Sequence, residues 1–181
     1  KQNPDLNIED KDKKTVTMYA FEYCKDKDVL LEILKQKPKL NIQNNYGTTE
    51  TMLAFIQCKD KDVLLEILKQ KPNLNIQNTI NMYTITMYAF ENCKDKDVLL
   101  EILKQKPNLT LKNELNKTVL DIALESYTKS PNFEFNVLEK LYNENCKQDK
   151  QLFNKDYIKL RNKYKIVPLI MFRQQKRNNK S

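Results

Sequence analysis

Histidine and tryptophan are absent from this 181-residue chain, and glycine occurs once, at Gly47. Without histidine there is no imidazole base, no serine–histidine or cysteine–histidine couple and no histidine-ligated zinc. A single glycine excludes the phosphate-cradling loops of the P-loop and dinucleotide type, which need several. No apolar run approaches the roughly 18 residues that cross a bilayer. These gaps argue against an enzyme and against a membrane span, and they leave no cofactor and no metal to be expected.

What is present is a polar but foldable chain. Apolar residues make up 40% and charged residues 31%, enough for one domain, or one stack of small units, with a real core. The net charge of +8 is unevenly spread. Eleven Lys/Arg stand against two Asp from 145 to 181, including all three arginines, Arg161, Arg173 and Arg177. The remaining 144 residues are close to neutral, so the basic character belongs to the tail. Abundant Lys, Asn and Ile also fit an AT-rich genome, which inflates lysine without any anionic partner.

Four cysteines, Cys24, Cys58, Cys93 and Cys146, contain no C-x-x-C pair among them. That spacing argues against a zinc ribbon or a redox dithiol. Free, largely buried thiols are expected, and with them an intracellular, reducing compartment such as the cytoplasm of a host cell.

Internal repetition dominates the chain. The block Cys-Lys-Asp-Lys-Asp-Val-Leu-Leu-Glu-Ile-Leu-Lys-Gln-Lys-Pro is identical at 24–38, 58–72 and 93–107. Ala20, Ala54, Ala89 and Ala123 recur at spacings of 34, 35 and 34 residues, so a fourth, degenerate unit follows Pro107. Within a unit, Thr49 to Cys58 has helical spacing with Ala54 as its narrow point. Lys59-Asp60-Lys61 reads as a charged turn. Asp62 is then expected to cap or begin a second helix, with Val63, Leu64, Ile67 and Leu68 on one face. Pro72 ends it by forcing Lys71 out of the helical region. The following stretch, with Asn-Ile-Gln-Asn and the glycine, is turn chemistry.

A tetratricopeptide reading needs longer helices and a shorter connection than these units offer. The arrangement instead resembles the ankyrin-repeat family. Gly47-Thr48-Thr49-Glu50-Thr51-Met52-Leu53-Ala54 matches that family's G-x-T-P-L-H-x-A at the Gly, the first Thr and the Ala. Val63 to Leu68 matches its V-V-x-x-L-L, and Pro72-Asn73-Leu74-Asn75 stands where the family has A-D-V-N. Thr17, Thr51 and Thr86 depart from the usual leucine, Phe21, Phe55 and Phe90 from a small residue, and a lysine from the glycine after the second helix. The helix–helix turn carries one extra residue.

The resemblance implies an all-α solenoid of helix-turn-helix units joined by β-turn loops. The expected units are 4–37, 38–71, 72–106 and 107–145, the fourth with a long turn from Glu125 to Asn136. Over 146–181 a C-terminal capping helix and a basic tail are expected, because a solenoid's last unit must be covered. Leu152, Phe153, Ile158, Leu160, Tyr164 and the run Ile166 to Phe172 supply its apolar face. Lys1-Gln2-Asn3-Pro4 mirrors Lys69-Gln70-Lys71-Pro72, so the chain is expected to open on the last turn of a preceding unit's helix.

The resemblance also implies a monomeric protein-interaction module, of the kind a microbial or viral effector or scaffold carries. Its partner would be another protein, bound by loop tips and the inner face of the first helices. Carried over position by position, the candidate residues are Lys11, Asp12, Lys14, Glu22 and Tyr23 in the first unit. The second supplies Asn45, Tyr46, Thr48, Ile56 and Gln57, and the third Ile80, Asn81, Tyr83, Glu91 and Asn92. The fourth supplies Glu114, Leu115, Lys117, Glu125 and Ser126. Tyr23, Tyr46, Tyr83 and Ile56 are the expected anchors. Independently of the family, fifteen residues per unit are identical while the other 19 or 20 vary, which places the variation in the loop and first helix. Two alternatives stay open: a nucleic-acid or anionic-surface binder acting through the tail, and the targeting module of a larger enzyme.

Overall fold

Local signals in the repeat define where each helix starts and stops. In the structure, a computed structural model that describes residues 4–129 and 135–148, eight α-helices and no strands are found among the described residues. They are α1 (Val16–Tyr23), α2 (Lys27–Lys35), α3 (Glu50–Gln57), α4 (Lys61–Lys69), α5 (Ile85–Asn92), α6 (Lys96–Lys104), α7 (Val119–Lys129) and α8 (Phe135–Gln148). Thr15, Thr49 and Thr84 cap α1, α3 and α5, each hydroxyl accepting from the amide three residues on. Thr118 and Asp121 exchange the equivalent bonds at the start of α7.

Asp26, Asp60 and Asp95 cap α2, α4 and α6, each carboxylate accepting from two backbone amides. The cap is therefore Asp60 and not Asp62, which lies one residue inside the helix and faces its positive N-terminal end. At the other end Lys37, Lys71 and Lys106 leave the helical region as expected, but into the left-handed one, with φ of 51, 53 and 53°. Each donates its amide to the leucine carbonyl three residues back, so a lysine does the work usually left to glycine.

Two rows of helices result. The first helices pack as α1–α3–α5–α7 and the second as α2–α4–α6–α8, with each first helix also touching its own second helix. Phe21, Phe55 and Phe90 fill the space between the rows, together with Met18, Met52 and Met87 and the leucines of the block. Ala54, Ala89 and Ala123 are fully enclosed, which lets neighbouring first helices approach closely. Val137, Leu138, Leu141 and Tyr142 continue the buried face in α8. In the fourth unit α7 runs on to Lys129 and α8 begins at Phe135, so the expected long turn from Glu125 shrinks to 130–134, outside the described residues. The expected boundary at 145 falls inside α8, whose Gln148 exchanges bonds with Pro107 and Leu109. The cap and tail residues from 149 on, like residues 1–3, lie outside the described residues.

Polar stitches register each unit on the next. Lys27 pairs with Asp62 and Lys61 with Asp97. Gln70 and Gln105 donate to the carbonyls of Leu34 and Leu68 at 3.0 and 2.9 Å. Asn7, Asn41 and Asn75 accept from the amides of Lys39, Asn73 and Asn108 at 2.7–2.8 Å.

The loops between units are short hairpins closed by bridges Glu9–Thr15, Gln43–Thr49 and Gln77–Thr84. These three and the fourth turn, closed by the Asn113 amide on the Lys117 carbonyl, each have one left-handed residue near the tip: Lys13, Gly47, Met82 and Asn116. At Gly47 the next hairpin is close: a Cβ there would stand 2.9 Å from the Thr79 amide nitrogen and 3.1 Å from Asn78 Cα. Gly47→Ala is therefore expected to cost about 2 kcal/mol, a melting-temperature drop of several degrees. Lys71→Gly, which relieves a side chain from the left-handed region, is expected to raise stability by up to about 1 kcal/mol. Calorimetry of the two variants checks both signs.

Candidate functional site

One side-chain acceptor organises each hairpin. Asp10, Asn44, Asn78 and Asn113 start the four turns, and their side-chain oxygens accept from amides across the turn at 2.8–3.0 Å. Backbone bonds then join tip to tip: Asn45 to the Asp12 carbonyl at 3.1 Å, Thr79 to Tyr46 and Glu114 to Asn81 at 3.0 Å. This pattern makes Thr79 the counterpart of Asn45 and Glu114. Ile80 is then the inserted residue of the third hairpin.

The tips are apolar and open in hairpins two to four. Tyr46 is 57% exposed, Ile80 61%, Met82 42% and Leu115 66%. Met82 escapes a motif-based reading because it occupies the position of Gly47, where side chains are not expected. Lys11, Asp12, Asn45 and Glu114 are also exposed, and Asn81 is half-buried.

A second set of candidates pairs internally. Lys14 meets Glu22 at 2.8 Å, Lys117 meets Glu125 at 2.8 Å, and the Tyr83 hydroxyl donates to Glu91 at 3.4 Å. Each pair straps a hairpin to the last part of its first helix. The second unit replaces the strap by Thr48 and Ile56. Thr48 is only 8% exposed, because Asn44 draws its amide inward, so its side chain offers little to a partner.

Tyr83 likewise serves packing more than display: its ring lies 5.0 Å from Tyr88. Burial and the Glu91 carboxylate push its hydroxyl up to about 12. Tyr88 in turn bonds Asn78 and Asn81. In the first unit Tyr19 does comparable work, donating to Asp10 at 2.6 Å, stacking on the exposed Tyr23 at 6.3 Å and lying under the Lys14 ammonium. The i, i+4 spacing of Tyr19 and Tyr23 was the available signal for that pair. Gln57 and Asn92 are not at the hairpin surface. They line grooves at the far end of the first helices, beside the cysteines. Ser126 is half-buried near the end of α7.

All four cysteines are free, with Cys93 buried and the others half-buried. Among the described residues no group of three or more Cys, Asp or Glu could hold a metal, and no helix is long and apolar enough to cross a membrane. No protein-family model matches the chain, and no curated protein matches it.

Among the described residues one carboxyl is strongly perturbed, that of Glu50, fully buried at the start of α3. Its counterparts are Val16, Ile85 and Val119. One oxygen accepts from the Thr15 hydroxyl at 2.9 Å and the other has no partner. Burial pushes its pKa from 4.5 to about 7, with help from Glu9 and against its own backbone amide, the Thr15 hydroxyl and the Ile42 backbone, which all favour the charged form. The neutral form is thus the one the fold prefers. Its contribution is complete below the unfolded value of 4.5 and is lost as pH rises through about 7. Thermal stability is expected to fall between about pH 5 and about pH 8. Glu50→Gln should flatten that dependence, with a gain on the order of 3 kcal/mol at the upper end. A parallel pH profile in the variant would contradict the assignment.

Proposed function

We propose that this chain is an ankyrin-type solenoid whose role is to bind another protein along its hairpin tips. The observation that carries the reading is the row Tyr46, Ile80, Met82 and Leu115, large apolar side chains displayed on three hairpins that backbone bonds hold in line. A rigid row of this kind pre-organises a binding edge, which limits the entropy lost on association. Aromatic and aliphatic anchors ringed by Asn45, Glu114 and the strap ion pairs have the make-up of a protein interface, apolar at the centre and polar at the rim. The mixed charge of this edge suits a protein better than a phosphate backbone. Support for the ankyrin reading comes from the paired helices, the hairpin before each pair, and the capping Thr49 and enclosed Ala54 at the family's motif positions.

The test is the triple variant Tyr46→Ser, Ile80→Ser, Leu115→Ser. All three side chains are exposed, so folding and melting temperature should hardly change. Against a partner captured by the unaltered chain and identified by mass spectrometry, affinity should fall by about a hundredfold or more. Undiminished binding would refute the tip reading. A steep loss of the same binding with salt, shared with single-stranded nucleic acid, would shift the role to the basic tail.

A further inference from the structure

The far end of the first helices carries a second surface that the tip reading does not use. There the turns into α2, α4 and α6 form two successive grooves, of about 340 and 360 Å3. The first is floored by Cys24, Cys58 and Leu30, with Lys25 and Lys59 at its rim. The second repeats this with Cys58, Cys93 and Leu64 beneath Lys59 and Lys94. Cys58 and Lys59 belong to both, so the two make one trough along the stack. Their lining comes from the identical block, apart from Gln57 and Asn92, and the two halves are therefore chemically the same.

Charge in the trough is not self-compensated. Lys27 and Lys61 are committed to the aspartates of the next unit. Lys25, Lys59 and Lys94 have no ion-pair partner among the described residues and recur once per unit. The floor, by contrast, is uncharged: burial pushes the Cys58 and Cys93 thiols above their ordinary value.

We propose that this trough binds an extended acidic segment of a protein partner, its carboxylates three residues apart and small apolar side chains between them. Helices packed at about 10 Å set the lysine pitch. A chain in the polyproline II conformation, rising about 3.1 Å per residue with about three residues per turn, covers that pitch in three residues and returns the same face to the trough. Each carboxylate then meets one of Lys25, Lys59 and Lys94, while the intervening side chains rest on Leu30 and Leu64. Asp60 and Asp95, one in each groove, repel a uniform polyanion, which separates this occupant from nucleic acid.

The probe is an end-capped peptide repeating Glu-Val-Ser, compared with its Gln-Val-Ser counterpart and with oligouridylate. Rates of iodoacetamide alkylation at each cysteine of the full chain, read by mass spectrometry, report occupancy, with Cys146, outside the trough, as reference. The acidic peptide should slow alkylation of Cys58 and Cys93 several-fold and leave Cys146 unchanged. Lys59→Glu, at the junction of both grooves, should weaken that protection about tenfold, and Lys59→Gln less. Both variants alter an exposed side chain, and circular dichroism checks that they fold. The triple tip variant should protect as the unaltered chain does, so this proposal and the tip reading fail separately. Equal protection by the glutamine peptide, stronger protection by oligouridylate, or none at millimolar peptide would each overturn the assignment.

Discussion

Burial of each unit's apolar face against the next unit is the constraint from which the rest follows. A first helix of eight residues and a second of nine are both below the length at which an isolated helix persists in water. Neither can enclose Phe55 or Leu64 by itself. The dependence on neighbours is visible in α4 and α6, where Val63 and Val98, covered by the preceding unit, are fully buried. Stability therefore grows by interfaces, and local errors in one unit are felt at its junction before they are felt elsewhere.

The block identical in three units is self-complementary, which explains how one sequence can serve at every level of the stack. Its lysine reaches forward to the next unit's aspartate, as Lys27 does to Asp62 and Lys61 to Asp97. Its glutamine reaches back to the preceding carbonyl, as Gln70 and Gln105 do. Exposed ion pairs of this sort add little individually and depend on salt. Their value is register: a unit shifted by one turn would lose the lysine–aspartate and the glutamine–carbonyl bonds together.

The helices and their faces were legible in the sequence because period and capping are local. Thr49, Ala54, Leu64 and Leu68 all stand where the repeat pattern put them. What was not legible depended on competition between near-equivalent groups. Asp60 and Asp62 are both able to cap, and the choice falls to the residue whose own backbone is extended. Lys71 had to leave the helix, but whether to the extended or the left-handed side was decided by its bond to Leu68. Among the candidates, Tyr46, Ile80 and Leu115 stand exposed at hairpin tips, whereas Thr48 is turned inward and Gln57 and Asn92 line the grooves at the other end of the first helices. The direction of a side chain at a helix end or in a turn depends on the neighbouring unit, which a motif position does not encode. Met82, exposed beside them, was not among the candidates because it fills a glycine position with a large side chain.

Buried polar atoms without partners are distributed unequally between the two rows. Among the described residues they occur at Thr17, Glu50, Thr86, Asn113, Glu139 and Asn145, and none lies in the block. Three of them sit in the first turn of α1, α3 and α5, directly beneath the hairpins. Thr51, at the same position as Thr17 and Thr86, escapes by donating to the Leu40 carbonyl at 3.1 Å. An unpaired buried hydroxyl costs about 1–3 kcal/mol, so in the first three units the hairpin side is held less tightly than the block side. Over α2, α4 and α6 the block repeats the same contacts with no such atom, whereas the row beneath the variable tips carries them, as does α8 with Glu139 and Asn145. Because the row beneath the tips opens at lower free energy, its hairpins can adjust to a partner without loosening the α2–α4–α6 interfaces that keep the units in register.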